Sequence, residues 1–442
     1  MVRQSLDKPT FIAFVFAVLI QIQTSFFAQG DYLGLRVNLA DILLPFIGIF
    51  ILISLFMQKS YWPKWNVSYM WLWLSSLAII MTISLFRGIE VNGYISNWAL
   101  LNKYIGFFIL LAYFLLGSWI SRNARDFEKL FSGFALVFSG FFVVVVLMSL
   151  FFTVLHKYTG IMVGLAVNPW SGFMGNRNAF MVISVLVMVF LMFTYKPSCK
   201  KLRSSHYIYI VFLLIVPIFF FYNASRTGWI VMSCLFVILL YMNFSFTVRK
   251  VIPLIVVGSC LTFFFSYFLE VKSAQGEDQY KYLSQLVVED YQDTDQMYIG
   301  DKKRFIALED GFDLYEKTGS SVFGAGLGTY NPFQIEKRGE FIDVIDFTAF
   351  WLFVETGPIG LVIFISFFLV CLWATLRPEN RNDKNVEMLR ATAAFLICFA
   401  VMSVLHELLY TRILWFVLGL ALASSQNIYS SSTRLETRSN SS

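Results

Sequence analysis

The sequence is poor in charge. Asp, Glu, Lys and Arg together make up 14% of its 442 residues, and histidine occurs only three times. His156, His206 and His406 are far apart and no Cys/His cluster accompanies them, so a metal site of closely spaced ligands is not expected. The carboxylate pair Asp293-Thr294-Asp295 sits in an acidic run, where a solvated surface explains it better than Mg²⁺. Of the five cysteines, Cys199 lies in a connection and Cys234, Cys260, Cys371 and Cys398 lie in apolar runs, which leaves no disulfide framework. There is no P-loop, no Ser/His/Asp arrangement and no internal repeat. The run Gly324-Ala325-Gly326-Leu327-Gly328 lacks the strand–helix setting and the glycine spacing of a dinucleotide site; a tight turn or a close backbone approach to a ligand explains it better. No metal and no cofactor is expected, and a net charge of +6 without a basic patch does not point to nucleic acid.

What is abundant is apolar surface: 58% of residues are hydrophobic, 18% are aromatic, and the mean hydropathy is +0.68. A soluble domain of this length has no use for so much, and the excess is expected to face lipid. Apolar runs of about 20 residues, the length that crosses a bilayer, recur at about 10–28, 38–57, 67–86, 99–121, 131–155, 178–196, 207–223, 227–244, 250–269, 347–376, 388–405 and 412–425. The expectation is an all-α polytopic membrane protein of about twelve spans. Residues 1–269 hold nine of them, 270–346 form a long loop, 347–425 hold the last three, and 426–442 form a polar tail.

Charge placement sets the orientation. One set of alternate connections, together with both termini, carries 18 basic residues, and the short connections of the other set carry six. Cytoplasmic loops retain Lys and Arg, so both termini are expected inside. The six outer cations are Lys157 and five arginines at span ends: Arg36, Arg87, Arg177, Arg226 and Arg412. Cations placed against that rule, beside lipid, suggest a site for a membrane-borne anion. The long outer loop is acidic, with 16 acidic residues against 8 basic ones. Within it Phe305, Leu308, Phe312 and Tyr315 recur at helical spacing over Lys303–Lys317, and Gly319 follows as a stop; a small helical cap is expected. Arg304 opens that helix, with Glu309 and Asp310 within two turns as its expected pairing partners. Arg226 stands in a short turn, Ser225-Arg226-Thr227-Gly228, where its planar guanidinium suits phosphate oxygens. The connection at 156–177 is rich in turn formers and ends in Gly175-Asn176-Arg177-Asn178.

Several pieces, taken in order, resemble a known family. They are Leu35-Arg36-Val37-Asn38-Leu39-Ala40-Asp41, Gly172-Phe173-Met174-Gly175-Asn176-Arg177-Asn178, Ser225-Arg226-Thr227-Gly228, Arg304, Phe323-Gly324-Ala325-Gly326-Leu327-Gly328 and Glu355-Thr356-Gly357-Pro358-Ile359-Gly360. Their order and spacing, with the large loop before the last spans, resemble the O-antigen ligase and O-antigen polymerase superfamily of bacterial membrane glycosyltransferases. The ligase pattern has a His followed by Asn, Ser or Gln eleven residues before Gly357; here Asp346 and Phe347 stand at that place, and this departure favours a polymerase.

The resemblance implies transfer of glycan from an undecaprenyl-diphosphate-linked oligosaccharide on the outer face of the bacterial inner membrane, without metal. Arg226 and Arg304 would stabilise the leaving diphosphate. Asp346 or Glu309 would take the acceptor proton. Arg36, Arg177, Asn178, Gly326, Gly328 and Arg412 would line the substrate. Membrane lipid and a chain-length regulator protein are the implied partners. A ligase delivering glycan to the lipid A core of lipopolysaccharide is the near alternative, and a flippase for lipid-linked glycan is the alternative of another class.

Overall fold

The computed structural model describes residues 7–26, 35–57, 69–159, 177–194, most of 230–241, 294–319, 321–339, 345–376, 386–404 and 406–423. The expected spans at 207–223 and 250–269, part of that at 227–244, the segments 160–176 and 270–293, the tail from 426 and Arg226 lie outside them.

The described residues are helical almost throughout. In chain order they form α1 (Lys8–Leu19), the strands β1 (Gln23–Phe26) and β2 (Leu35–Asn38), α2 (Leu39–Met57), α3 (Tyr69–Asn92), a wide π-helical stretch Trp98–Ile105 running into α4 (Gly106–Asn123), α5 (Phe127–Thr159), α6 (Arg177–Thr194), α7 (Thr294–Lys317), α8 (Tyr330–Arg338), α9 (Thr348–Leu376), α10 (Val386–Ser403) and α11 (Arg412–Ala423). Among the described residues five stretches are long and apolar enough to cross a membrane: Met70–Asn92, Trp98–Asn123, Phe127–Met148, Thr348–Leu376 and Val386–Ser403. Each falls on an expected run. Burial differs sharply between two of them. Only 28% of the most apolar window of α9 is buried, against 67% for α10. Val362, Ile365, Leu369, Trp373 and Leu376 of α9 are exposed. A stripe of that size is stable only against lipid or another apolar surface.

The first expected run breaks early. α1 ends at Leu19, and Gln23–Phe26 pairs antiparallel with Leu35–Asn38 instead of continuing as helix. Polar side chains explain the change. Gln21 donates to the Ala17 carbonyl (2.8 Å), the Asn38 amide donates to the Ile20 carbonyl (2.7 Å), and the Leu39 N–H bonds the Ile22 carbonyl (2.8 Å). Asn38 then starts α2: its Oδ1 accepts from Ala40 N–H (3.1 Å), and Asp41 reaches back to the Asn38 N–H (2.8 Å), a reciprocal cap.

The chain divides into two compact units, Met1–Phe134 with Arg304–Ser442, and Ala135–Lys303. In the second, α6 is buried on every side from Phe180 to Leu191; Phe180 stacks on Phe142, and Phe190 meets Phe138 edge-on. In the first, Phe16, Phe107, Tyr113, Phe367, Trp415 and Phe416 form one aromatic core. Helices α4 and α11 touch through glycine. A Cβ on Gly117 or on Gly419 would overlap the facing backbone, and Ser118 donates across the contact to the Gly419 carbonyl (3.2 Å). Small residues and a hydroxyl are the usual means of bringing two helices close in a membrane.

Helix α9 is broken at Gly357 (φ 74°, ψ 176°). Pro358 has no N–H to give the Val354 carbonyl, and the break strands the Glu355 carbonyl as well. The 322–328 loop replaces both bonds: Ala325 N–H meets Val354 O (2.8 Å) and Gly326 N–H meets Glu355 O (3.1 Å). Leu327 N–H bonds Ser84 O of α3 (2.8 Å). The loop is thereby wedged between two membrane-length helices. A Cβ at Gly326 (φ 102°) would overlap the backbone of Gly88, and one at Gly324 would meet Gly357. The close approach, expected to be to a ligand, is instead to the protein's own backbone.

Helix α7 reaches Lys317 and ends as expected, with Gly319 at φ 83°. Its packing face differs from the expected one. Phe305 is 72% exposed, and the buried positions are Ala307, Asp310, Gly311 and Leu314. Helix α8 requires that face: Asp310 is fully buried and receives Lys337 (2.8 Å), Arg338 (2.7 Å) and Gln334 (3.1 Å). Phe312 and Tyr315 turn instead to Phe350 and Phe353 of α9, with ring centres 4.7 and 4.6 Å apart. A period of three to four identifies an apolar stripe; it does not reveal that a buried carboxylate will claim the neighbouring one.

Candidate active site

Arg304 and Asp346 come together. Arg304 stands on α7, and Asp346 lies two residues ahead of α9. The guanidinium Nε donates to Asp346 Oδ2 at 3.1 Å, and the side chains remain 38% and 25% exposed. Among the described residues Arg304 bonds through Nε alone, so its forked face is directed elsewhere. The pairing expected with Asp310 or Glu309 does not form, because both turn to Arg338: Asp310 at 2.7 Å and Glu309 at 3.2 Å. Glu309, a candidate base, is 65% exposed and points away from Arg304 towards that partner.

His406 belongs to the same neighbourhood. Burial, and then the positive charge of Arg304, push its imidazole down to about 4, so it is neutral near pH 7. Thr348, the first residue of α9, fixes the segment by donating to the His406 carbonyl (2.7 Å) and accepting from Leu408 N–H (3.1 Å).

A second ionic cluster lies beside the first. Lys103, on the π-helical stretch, is 5% exposed and donates to Glu407 at 2.7 Å. Its ammonium sits 4.1 Å from the ring centre of Trp351, 5.0 Å from Tyr410 and 5.9 Å from Trp98. Such an aromatic cage offsets part of the cost of burying the cation. The only acid of α9, Glu355, shares the field of Lys103 and Glu407. Its Oε1 accepts from Gly328 N–H (3.2 Å), while its Oε2 and Trp351 Nε1, one turn earlier, are buried without a hydrogen-bond partner among the described residues. Lys103, Glu355, Glu407 and His406 are absent from the expected site. The first two carried a signal, since a lysine and a glutamate inside apolar runs imply partners.

Arg412 is held differently. It grips Asp41 through Nε (3.0 Å) and Nη2 (2.8 Å), with the side chains 13% and 7% exposed, and Asp41 also accepts from Tyr113 (2.8 Å). Arg87 bonds Glu90 (2.7 Å) and the Thr318 carbonyl (3.2 Å). Two cations expected to await an anion are thus paired within the fold. Arg36 faces Ser25 across the hairpin, and Arg177 and Asn178 open α6. Gly326 and Gly328 are buried in the wedge. Among the described residues no three His, Cys, Asp or Glu side chains converge to hold a metal.

The arrangement offers an exposed guanidinium, a carboxylate that it orients and a neutral imidazole, all beside lipid-length helices. An arginine so placed can take up negative charge as it develops on a leaving oxygen, and a carboxylate held at 3.1 Å can accept a proton. No family model matches the chain, and no curated protein matches it significantly.

Proposed function

We infer that the chain is a membrane glycosyltransferase. It would lengthen O-antigen or a related surface polysaccharide from undecaprenyl-diphosphate-linked repeats, in a bacterial inner membrane, with about twelve spans, both termini cytoplasmic, and α7 and α8 as a periplasmic cap. The observation that carries this reading is the half-exposed Arg304–Asp346 pair beside helices with lipid-facing sides. In the step proposed, an acceptor hydroxyl forms a new bond to the anomeric carbon of the donor. The bond from that carbon to the diphosphate oxygen breaks, and its electron pair leaves with the diphosphate. The hydroxyl proton passes to Asp346. Arg304, with Arg226 as its proposed counterpart, neutralises the departing charge, which is the term that usually dominates in such transfers. Glu309 remains the alternative base, and Arg36, Arg177, Asn178, Gly326, Gly328 and Arg412 are proposed along the substrate path, Gly326, Gly328 and Arg412 by shaping it.

Purified protein supplied with lipid-linked repeats tests the proposal. Arg304→Ala and Arg226→Ala should each slow chain growth about a hundredfold. Near-normal growth in both refutes it. Deleting the gene separates polymerase from ligase, since the lipid A core would then carry single repeats or none.

A flippase is the second reading, and one observation favours it: Lys103 and Glu355 are buried charges inside membrane-length helices, where transporters keep coupling groups. Scrambling of lipid-linked glycan by reconstituted protein, without chain growth, would establish it in place of the transferase.

A further inference from the structure

A groove of about 610 Å³ lies between the end of α3 and the segment that joins α7 to α8. Its size falls within the roughly 300–1,000 Å³ typical of small-molecule sites. Arg87, Asn92, Tyr94, Lys317, Thr329 and Glu336 supply its polar and aromatic lining. Both walls are fastened together. Arg87 Nη2 donates to the Thr318 carbonyl (3.2 Å), and the Asn92 amide donates to the Gly328 carbonyl (3.3 Å), so the groove is formed before any ligand arrives.

The charges around this groove cancel. Arg87 is paired with Glu90 at 2.7 Å, and Lys317 with Glu336 at 3.1 Å. A diphosphate would find no excess positive charge there. A neutral molecule bearing many hydroxyls finds alternating donors and acceptors at close range. Arg87 Nε is buried without a hydrogen-bond partner among the described residues, so Nη1 and Nη2 alone hold the half-buried guanidinium against the groove wall. Tyr94 is 54% exposed and follows Gly93, whose φ of 73° turns the chain at the end of α3 and sets the ring at the rim. The negative face of an exposed ring suits the C–H-lined face of a sugar.

We propose that this groove binds a neutral glycan chain. The proposal deepens the transferase reading and rests on it for the source of the glycan. Lys317 is thirteen residues beyond Arg304 on α7, about 20 Å along the helix axis. The groove therefore takes sugars well removed from the reacting end and serves to hold the chain, with Arg87 and Tyr94 as binding residues.

The test uses the full chain in lipid nanodiscs. The probe is free oligosaccharide released by mild acid from the source cell's own surface polysaccharide, with inorganic pyrophosphate as competitor. Calorimetry should show saturable binding of the oligosaccharide, with Kd raised at least tenfold by Tyr94→Ala and by Arg87→Lys, which keeps the charge but removes the planar guanidinium. Pyrophosphate should not displace it. The proposal is overturned by absence of saturable binding to the wild type, by an unchanged Kd in both variants, or by displacement with pyrophosphate. Transfer from lipid-linked repeats is measured separately on the same preparation. Groove-dependent binding without transfer keeps the glycan site and discards the transferase. Transfer with groove-independent binding does the reverse.

Discussion

Two arginine–aspartate pairs in one compact unit make opposite use of the same chemistry. Arg412 meets Asp41 through two guanidinium nitrogens, both side chains are nearly buried, and Tyr113 and the Asn38 N–H fill the remaining acceptor sites. Arg304 meets Asp346 through one nitrogen, and both side chains remain open to the surroundings. The first pair joins α11 to the start of α2 and leaves nothing for a ligand. The second leaves the terminal guanidinium nitrogens without a hydrogen-bond partner among the described residues. Burial and bond count, not residue type, separate a structural arginine from one able to act on a substrate.

Breaking each pair should give different losses. Arg412→Ala leaves Asp41 charged, buried and short of its partner, an error that costs about 3–5 kcal/mol. Thermal unfolding in detergent should show a large fall in Tm. Replacing both partners, Arg412→Met with Asp41→Leu, should recover part of it, though Tyr113 then lacks an acceptor. Arg304→Ala should scarcely move Tm, because a half-exposed pair contributes roughly 0–1 kcal/mol. Its effect should fall on the rate of transfer, by about a hundredfold. If Arg304→Ala unfolds the protein and Arg412→Ala only slows it, the assignment of the two pairs must be exchanged.

Acid should separate the regions further. His406 has its pKa lowered in the fold, so the unfolded chain takes up a proton first. Stability from keeping it neutral is complete above about pH 6.5 and is lost as pH falls towards 4. The loss amounts to about 3 kcal/mol, and His406→Gln should abolish this phase of a pH–Tm profile. Asp310 loses its contribution later. Burial alone would raise its carboxyl, but Arg338, Lys337 and Gln334 outweigh burial and hold it down at about 2. A depressed carboxylate stabilises above about pH 4, and the effect disappears as pH falls through 2. Protease cleavage near α7 and α8 should rise over that lower window, by an amount equivalent to about 2 kcal/mol, and Asp310→Asn should flatten the profile while lowering stability near pH 7.

Apolar length made the five membrane-length helices legible in the sequence, because twenty hydrophobic residues in a row have few other uses. The stop at Gly319 was legible from glycine alone; the glycines of 324–328 signalled a close approach, but not that the protein's own backbone would be its partner. Pairings were not. Arg412 and Asp41 are 371 residues apart and Arg304 and Asp346 are 42 apart, and no local pattern announces a contact over such separations. Five lone arginines at span ends looked like cations awaiting an anion; the acid of Arg412 sits on another helix, and that of Arg87 is Glu90, three residues further along α3. Strand β1 was hidden inside an apolar run, and the side-chain bonds of Gln21 and Asn38 redirect the chain there. Lys103 and Glu355 were visible as charges among apolar residues; their mutual neighbourhood with Glu407 depends on the break in α9 and on the π-helical stretch.

The smallest expected effect concerns the choice of base. Glu309 is exposed and paired with Arg338 on α8, whereas Asp346 is the acid that Arg304 holds. Glu309→Gln keeps the shape, removes a charge and gives up one half-solvated contact worth roughly 0–1 kcal/mol. Chain growth should stay within about twofold of wild type, and Tm should hardly move. Asp346→Asn is the counterpart, with growth expected to fall by two or more powers of ten on removal of a general base. A Glu309→Gln variant as slow as that would transfer the proton-accepting role to the surface of α7 and leave Asp346 as the residue that positions Arg304. The two variants therefore decide which of these acids receives the proton, even if both retain the fold.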